Sequence, residues 1–469
     1  MFLKKRRQLS EEARREIILY DDLWKVIFQI ALPLVLFNAI NMIFKIFDAY
    51  MAASFGAIEV SAVVFVHQIK LFFDAIGNGL ALGGCILVAR YFGARQDKRA
   101  ARMAGNLYAL AIILAFCLLV LNFFSSSILK LAHSPTELLP VARTFLSVQL
   151  ITSAFLVLNT VYIGLEKAKG QSSRIMRLNI IVMVVKLGLS LFFIYVLKLS
   201  VLMLAVATLI AQATLFLFAL YHLTRKTNPF RLTRKRLHLE QKNLKAIIGI
   251  SLPIMAERVA FSFGKVWVSA LSGLYGGTVV GALGISNQIS GVIIMVANGF
   301  RDGQLTVISQ NLGNNNHKRA LGAFYRACII NLGVGVLGFL LLTIFIDPII
   351  SLFAPADPEF ARTIHSVLYY ERIAFIALTI AGSIFALFYG FGLPRVVLVL
   401  SLLRLFAFRI PPLILLQKLT DWGSKSVGVS MMVSNLLVGL AALVFLLIYR
   451  KHFWPAGDRQ HRMRELHEP

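Results

Sequence analysis

Long apolar stretches, separated by short polar connectors, dominate the chain. A helix needs about 20 mostly apolar residues to cross the hydrocarbon core of a bilayer, which is about 30 Å thick. Twelve stretches meet this requirement, so the pattern predicts twelve transmembrane helices. Their approximate ranges are 26–51, 60–89, 104–129, 144–165, 178–197, 202–222, 246–272, 281–309, 327–345, 363–389, 396–416 and 427–449.

The composition supports an integral membrane protein. Of the 469 residues, 58% are hydrophobic and 15% are charged, whereas soluble domains are about 45–50% apolar and about 25% charged. The three cysteines, Cys85, Cys117 and Cys328, lie in apolar surroundings at no metal-binding spacing, which predicts core residues. These features exclude a secreted disulfide scaffold, a disordered chain and a typical soluble enzyme.

Most of the basic residues that give the formal net charge of +26 lie in the tails and in the connectors between spans. Of the 48 Lys and Arg residues, 33 fall on the side of the N-terminus and 6 on the opposite side. By the positive-inside rule, this bias predicts that both termini are cytoplasmic. It accounts for the basic charge without a nucleic-acid partner. We therefore expect a multi-pass protein of the plasma membrane, the inner membrane in a bacterium, with the lipid bilayer as a partner.

The two halves of the sequence repeat each other. Segments 31–100 and 251–320 align without a gap, with 15 identities in 70 positions. Lys45 aligns with Lys265 in this register. The other polar and glycine matches pair Gly56 with Gly276, Gln68 with Gln288, Asn78-Gly79 with Asn298-Gly299, Gly83 with Gly303, Gly93 with Gly313, and Lys98-Arg99 with Lys318-Arg319. Six spans per half predict parallel repeats related by an axis along the membrane normal, with a substrate cleft between them.

The predicted fold is thus an all-α polytopic membrane protein with twelve transmembrane helices in two six-helix repeats. The predicted parts are a cytoplasmic basic tail (1–25), an N-terminal half (26–222), a cytoplasmic basic linker (223–245), a C-terminal half (246–450) and a cytoplasmic tail (451–469).

Polar side chains inside the spans are the candidate functional residues, because ionisable groups are costly in a bilayer. Two helical stripes stand out: Asn38, Asn41, Lys45 and Asp48 in the first span, and His67, Lys70, Asp74 and Asn78 in the second. The candidate substrate cleft comprises Lys45, Lys265, His67, Lys70, Asp74, Glu257, Asn287, Gln288 and Arg301. A structural ion pair between Lys70 and Asp74 is the alternative interpretation of those two residues.

Three motifs resemble the MATE (multidrug and toxic compound extrusion) exporters of the multidrug/oligosaccharidyl-lipid/polysaccharide exporter superfamily. They are Phe47-Asp48-Ala49 followed by Gly56, Val88-Ala89-Arg90-Tyr91-Phe92-Gly93-Ala94 followed by Lys98-Arg99-Ala100, and Ser309-Gln310-Asn311-Leu312-Gly313 followed by Lys318-Arg319-Ala320. The resemblance implies secondary active multidrug efflux by antiport, driven by an inward proton or sodium gradient. It marks Asp48 as a coupling-ion site.

From the residues, Asp48 either carries a proton or binds sodium together with amide oxygens of Asn38 or Asn41. The alternative for Asp48 is a local salt bridge to Lys45. The cation-exporting branch has further acids in the seventh and tenth helices, at places that align near Phe261 and Ile380 in this chain. Glu257 and Glu371 lie one turn and more than two turns away from those places.

Basic residues outnumber acids within the spans, and Lys45 and Lys265 occupy equivalent positions. The substrate is therefore predicted to be a small anionic or zwitterionic molecule. The alternative function is a flippase for a lipid-linked glycan or another anionic lipid. An enzyme is not expected, because the sequence has no HExxH, GxSxG or Walker A motif. We expect a monomer with no cofactor, apart from a proton or sodium as coupling ion.

Overall fold

The computed structural model describes residues 11–53, 55, 57–132, 138–354 and 357–454. Within these ranges the side chains at 45, 46, 49, 50, 52, 53, 57, 58, 60 and 61 are not described. All regular secondary structure in the described residues is helical, and twelve helical segments are long and apolar enough to cross a membrane. The predicted all-α fold with twelve spans is confirmed.

The chain divides into two compact units, Met1–Val266 and Trp267–Pro469, and the boundary falls inside one long helix. The helices that begin in the first unit are α1 (Glu11–Tyr20), α2 (Leu23–Ala53), α3 (Ala57–Gly93), α4 (Asp97–Asn122), α5 (Ser125–Leu131), α6 (Leu139–Ala168), α7 (Ser172–Leu191), α8 (Leu202–Thr224), α9 (Arg234–Leu237) and α10 (Gln241–Gly273). A π-helical turn, Phe192–Val196, extends α7.

The second unit contains the remaining helices. These are α11 (Gly277–Gly313), α12 (His317–Phe353), α13 (Pro358–Glu371), α14 (Phe375–Gly390), α15 (Pro394–Leu402), α16 (Ile410–Leu419), α17 (Ser424–Ile448) and α18 (Arg450–Phe453). A 3₁₀ turn, Arg372–Ala374, joins α13 to α14, and a π-helical turn, Leu403–Ala407, joins α15 to α16. The arrangement of the halves as two repeats about an axis stays a prediction.

Several helices are longer than the apolar stretches that predicted them. The ninth span was predicted over 327–345, but α12 covers His317–Phe353. The third span is shifted rather than lengthened: it was predicted over 104–129, but α4 covers Asp97–Asn122 and α5 follows separately. Polar residues at a helix end keep their backbone hydrogen bonds outside the apolar core, so hydropathy underestimates helix length there.

Four interhelical loops adopt one turn geometry. In each, the amide N–H of the last residue reaches the carbonyl five residues earlier, as in a Schellman motif. The residues with positive φ in these turns are Arg95, Gly170, Asn315 and Gly392. Two of these turns follow Gly93 and Gly313, so the repeated sequence motif folds the same way in both places. Helices α3 and α11 also begin and end at positions that align in the register of the internal repeat.

Small residues bring helices of the first unit close together. A Cβ built on Gly79 would lie 2.6 Å from the Cα of Met255, and one on Gly83 would lie 2.5 Å from the Cα of Ser251. The Ser251 hydroxyl donates to the carbonyl of Leu80 at 3.2 Å. The first half of α10 therefore packs on α3 within this unit, where Gly79 and Gly83 leave room for the close approach of the two helices.

Two segments outside the spans also pack on the first unit. In the N-terminal tail, α1 buries Ile18, and its Arg15 pairs with Asp97 at 2.6 Å. In the basic linker, the side chain of Asn106 donates to the carbonyls of Arg236 (3.2 Å) and His238 (2.9 Å). The linker is thus held to α4 by an amide that is 1% exposed.

Candidate functional site

The ion pair between Asp48 and Lys186 joins the first and fifth spans. Asp48 lies on α2 and Lys186 on α7, and the Nζ of Lys186 donates to Oδ2 of Asp48. The lysine side chain is 11% exposed and the aspartate side chain is 34% exposed. The carboxylate therefore remains reachable from outside the protein, whereas the ammonium group is nearly enclosed.

Asn41 and Asn38 share the helix of Asp48. The Nδ2 of Asn41 donates to the carbonyl of Phe37, one turn earlier, at 2.8 Å. Both asparagine side chains are half-buried. Lys45, the partner considered for Asp48 from the sequence, has a side chain outside the described part of the structure. The structure gives Asp48 a different partner, Lys186, 138 residues along the chain.

A second ion pair lies on α3. Lys70 and Asp74, four residues apart, pair directly, and their side chains are 13% and 14% exposed. Ser153 on α6 donates to Oδ1 of Asp74 at 2.9 Å, and Asn78 donates to the carbonyl of Asp74 at 2.8 Å. The pair considered as the structural alternative therefore exists. Ser153 was not identified from the sequence, because a lone serine in an apolar span carries no pattern.

The other candidates in the first unit are more exposed. His67 and Lys265 are exposed, and Glu257 is half-buried. The Nζ of Lys265 lies 4.9 Å from the centroid of the Phe261 ring, a cation–π distance. The resemblance places an acid of the cation-exporting branch near Phe261, and in this chain Phe261 contacts a cation.

The candidates of the second unit lie on α11. The Nδ2 of Asn287 donates to the carbonyl of Leu283 at 2.9 Å, and Gln288 is exposed. Arg301 lies 3.7 Å from Asp302, its neighbour in sequence. The described contacts give no single cluster that contains all these residues, so the predicted cleft as a whole stays a prediction.

The second unit also contains a buried polar cluster that the candidate site did not include. Glu371 is 3% exposed and accepts a hydrogen bond from Ser286 at 2.7 Å. Arg409 is 3% exposed and donates to Asn435 at 2.8 Å. The sequence places the charged side chains of Glu371 and Arg409 inside predicted spans. Nothing in the sequence pattern distinguishes Asn435 from other polar residues. Only the fold brings these residues together.

Twelve apolar helices, with an ion pair that joins two of them, define the class: a multi-pass membrane protein with charged groups paired between its helices. The sequence profile of the MatE family matches residues 33–192 and 253–415, and the chain belongs to this family. The first positions of the two matched segments, 33 and 253, align with each other in the register of the internal repeat.

Curated relatives agree with this assignment. Probable multidrug resistance protein YoeA of Bacillus subtilis is 21% identical over 342 residues, which cover 71% of this chain and 74% of YoeA. Probable multidrug resistance protein YpnP of the same organism is 23% identical over 430 residues, 91% of this chain and 94% of YpnP.

A solved structure shows the same fold at low identity. It is a MOP superfamily transporter from Pyrococcus furiosus, described as having a binding pocket of reverse polarity that suggests a different function. It matches with a TM-score of 0.88 and 19% identity, over 93% of this chain and 98% of that one.

Proposed function

We propose that this protein is a secondary active exporter that moves small organic molecules out of the cytoplasm in exchange for protons or sodium ions. The observation that carries the proposal is the Asp48–Lys186 ion pair between α2 and α7 of a MatE family member. The names of the relatives, which refer to multidrug resistance, support export as the direction of transport.

The ion pair supplies a physical basis for coupling. A proton or sodium ion that binds Asp48 competes with the ammonium group of Lys186 for the same carboxylate. A positively charged group of the substrate competes there as well. Since the carboxylate has one negative charge, cation and substrate exclude each other, and mutual exclusion is the requirement for antiport.

A zwitterionic substrate fits this pair best. Its cationic group would pair with Asp48, and its anionic group would pair with the released Lys186. Neither charge of the original ion pair would then be left unpaired between apolar helices. A coupling ion then displaces the substrate by removing one of these two contacts. The proposal keeps Lys45 and Lys265 as further cationic contacts of an anionic or zwitterionic substrate, and alternating access as the transport mechanism.

Inverted membrane vesicles provide the test. Uptake is measured for three probes matched in size, one cationic, one anionic and one zwitterionic, with proton and sodium gradients imposed separately. We expect gradient-driven uptake of the zwitterion, and its loss to the level of empty vesicles in Asp48→Asn. The matched control is Asp347→Asn, because that carboxylate lies on α12 and its side chain is 84% exposed.

Gradient-driven uptake that is unchanged in Asp48→Asn would contradict the coupling role. Uptake of the cationic probe alone would contradict the substrate charge. Movement of lipid-linked anions alone, without dependence on either gradient, would favour a flippase.

A further inference from the structure

A cavity of about 610 Å³ lies in the second unit between the end of α12 and the start of α13. The wall from α12, Asp347 to Ala354, follows a bend in that helix. Phe345 has non-helical backbone angles there, φ −111° and ψ 19°, three residues before Pro348. Proline has no N–H to donate to the carbonyl four residues earlier, which accounts for the bend. The volume falls within the range of ligand sites, about 300–1,000 Å³.

The opposite wall is one face of α13. Its lining residues recur every four positions, which places them on the same side of a helix: Ala361, Arg362, His365, Ser366, Tyr369 and Tyr370. Lys425, near the start of α17, adds a second cation to the lining. Ile350 and Ala354 of α12 contribute buried apolar surface.

Two cations of this lining are available to a ligand. Arg362 and Lys425 are exposed, and neither side chain has an ion pair or a hydrogen bond within the part of the chain that the structure describes. Asp347 is the carboxylate of the described lining. Its side chain is 84% exposed and lies 3.9 Å from His365, so solvent and the imidazole both weaken its effect. The lining therefore has a net positive charge, which favours an anionic ligand.

Both cations lie at the boundary of the hydrocarbon core. Arg362 directly precedes the apolar stretch 363–389, and Lys425 lies two residues before the stretch 427–449. At about 1.5 Å per residue, each is within about 3 Å of the end of its stretch. The headgroup layer of a bilayer begins at this level.

Exposed apolar side chains lie one helical turn deeper. Ile344 on α12 is 66% exposed and precedes Asp347 by three residues. Ile373, in the 3₁₀ turn after α13, is 40% exposed and follows Tyr369 by four residues. Tyr369 and Tyr370 suit this level of a membrane, because the ring is apolar and the hydroxyl is polar. A ligand that extends from the cations toward the core thus meets apolar surface, which a dissolved ion would not use.

We propose that this cavity binds the headgroup of an anionic phospholipid. The phosphate diester accepts from Arg362 and Lys425, and an acyl chain lies against Ile344 and Ile373. Guanidinium and ammonium groups are common partners of phosphate in proteins. The inference does not depend on the coupling role of Asp48.

Native mass spectrometry of the purified, delipidated protein in detergent tests the proposal. The probes are phosphatidylglycerol, which has a net negative charge, and phosphatidylcholine with the same acyl chains, which has no net charge. We expect one phosphatidylglycerol molecule per protein to bind about tenfold or more tightly than phosphatidylcholine. Inorganic phosphate is added as a competitor. It should not displace the lipid, because it gains no contact with the apolar surface.

Arg362→Gln/Lys425→Gln removes both charges and keeps long polar side chains. The variant should bind phosphatidylglycerol about tenfold or more weakly than the wild type and bind phosphatidylcholine equally well. Because both side chains are exposed, its unfolding temperature without lipid should equal that of the wild type. This second measurement shows that a loss of lipid is not a loss of folding.

Lys418→Gln is the matched control. Lys418 is exposed and precedes the last residue of the span Pro394–Leu419. It lies on the same side of the membrane as Lys425, because only residues 420–423 separate the two spans. It is not among the residues that line the cavity. The control should therefore bind phosphatidylglycerol as the wild type does.

Any of three results would overturn the proposal: equal affinity for the two lipids, an equal loss in Lys418→Gln, or displacement of phosphatidylglycerol by millimolar inorganic phosphate. The last result would assign the cavity to a dissolved oxyanion. The outcome is independent of the exporter proposal, because Asp48→Asn should lose gradient-driven transport and keep the preference for phosphatidylglycerol.

Discussion

Single and double replacement of Asp48 and Lys186 should show unequal effects on stability. Removal of one partner from a fully buried pair costs about 3–5 kcal/mol, whereas an exposed pair contributes about 0–1 kcal/mol. Asp48→Asn leaves a lysine that is 11% exposed without a counter-charge, and Lys186→Met leaves a carboxylate that is 34% exposed. We therefore expect a loss of about 2 kcal/mol for Asp48→Asn and about 1 kcal/mol for Lys186→Met, between these two limits.

The double variant tests this reasoning. With both charges removed, no ion remains buried, so the double variant should lose less than the sum of the single losses, by about 1–2 kcal/mol. The free energy of unfolding is measured by urea titration in detergent for all four proteins. Additive losses, or a larger loss in Lys186→Met than in Asp48→Asn, would refute the asymmetric burial on which the prediction rests.

Three further predictions concern other parts of the chain. Asn106→Ala should lower the free energy of unfolding by about 2–3 kcal/mol, because the carbonyls of the linker lose their hydrogen-bond donor. The control is Asn179→Ala, which should lower the free energy of unfolding little, because the buried Nδ2 of Asn179 has no described partner to lose. Lys198→Gly should raise the unfolding temperature, because φ is +51° at this position and glycine adopts positive φ without steric cost. Lys198→Ala should not raise it, because alanine keeps the Cβ. Transport of an anionic or zwitterionic probe into inverted vesicles should stop in the Lys45→Ala/Lys265→Ala variant; unchanged transport would contradict a substrate role.

The spans were predictable because the bilayer sets their length. A helix that crosses a hydrocarbon core about 30 Å thick needs a continuous stretch of about 20 mostly apolar residues. Such a stretch can be recognised from the sequence alone. The helix ends were less predictable. Residues 97–103 include four charged side chains, so hydropathy assigned them to a loop, yet α4 begins at Asp97. Helix propensity and the preceding turn, rather than hydropathy, determine where such helices begin.

Partners within a helix were predictable, and partners between helices were not. Lys70 and Asp74 are four residues apart, so the helical period alone places them together. Asp48 and Lys186 are 138 residues apart, and their contact depends on the packing of α2 against α7. Asn106 illustrates the same limit, because its role depends on linker carbonyls about 130 positions away. Sequence patterns identify costly residues, but only the tertiary structure supplies their partners.

Some buried charges have different kinds of partner in the two units. In the first unit each described acid in a stripe has its own lysine, Asp48 with Lys186 and Asp74 with Lys70, so the charges cancel. In the second unit, Arg409 is held by the neutral side chains of Ser434 and Asn435. The turns after Gly93 and Gly313 and the bounds of α3 and α11 nevertheless match between the two units. Backbone features that match between the units therefore do not determine which partners the buried charges have. The neutral Asp48–Lys186 pair suits the exchange of one cation for another at the carboxylate.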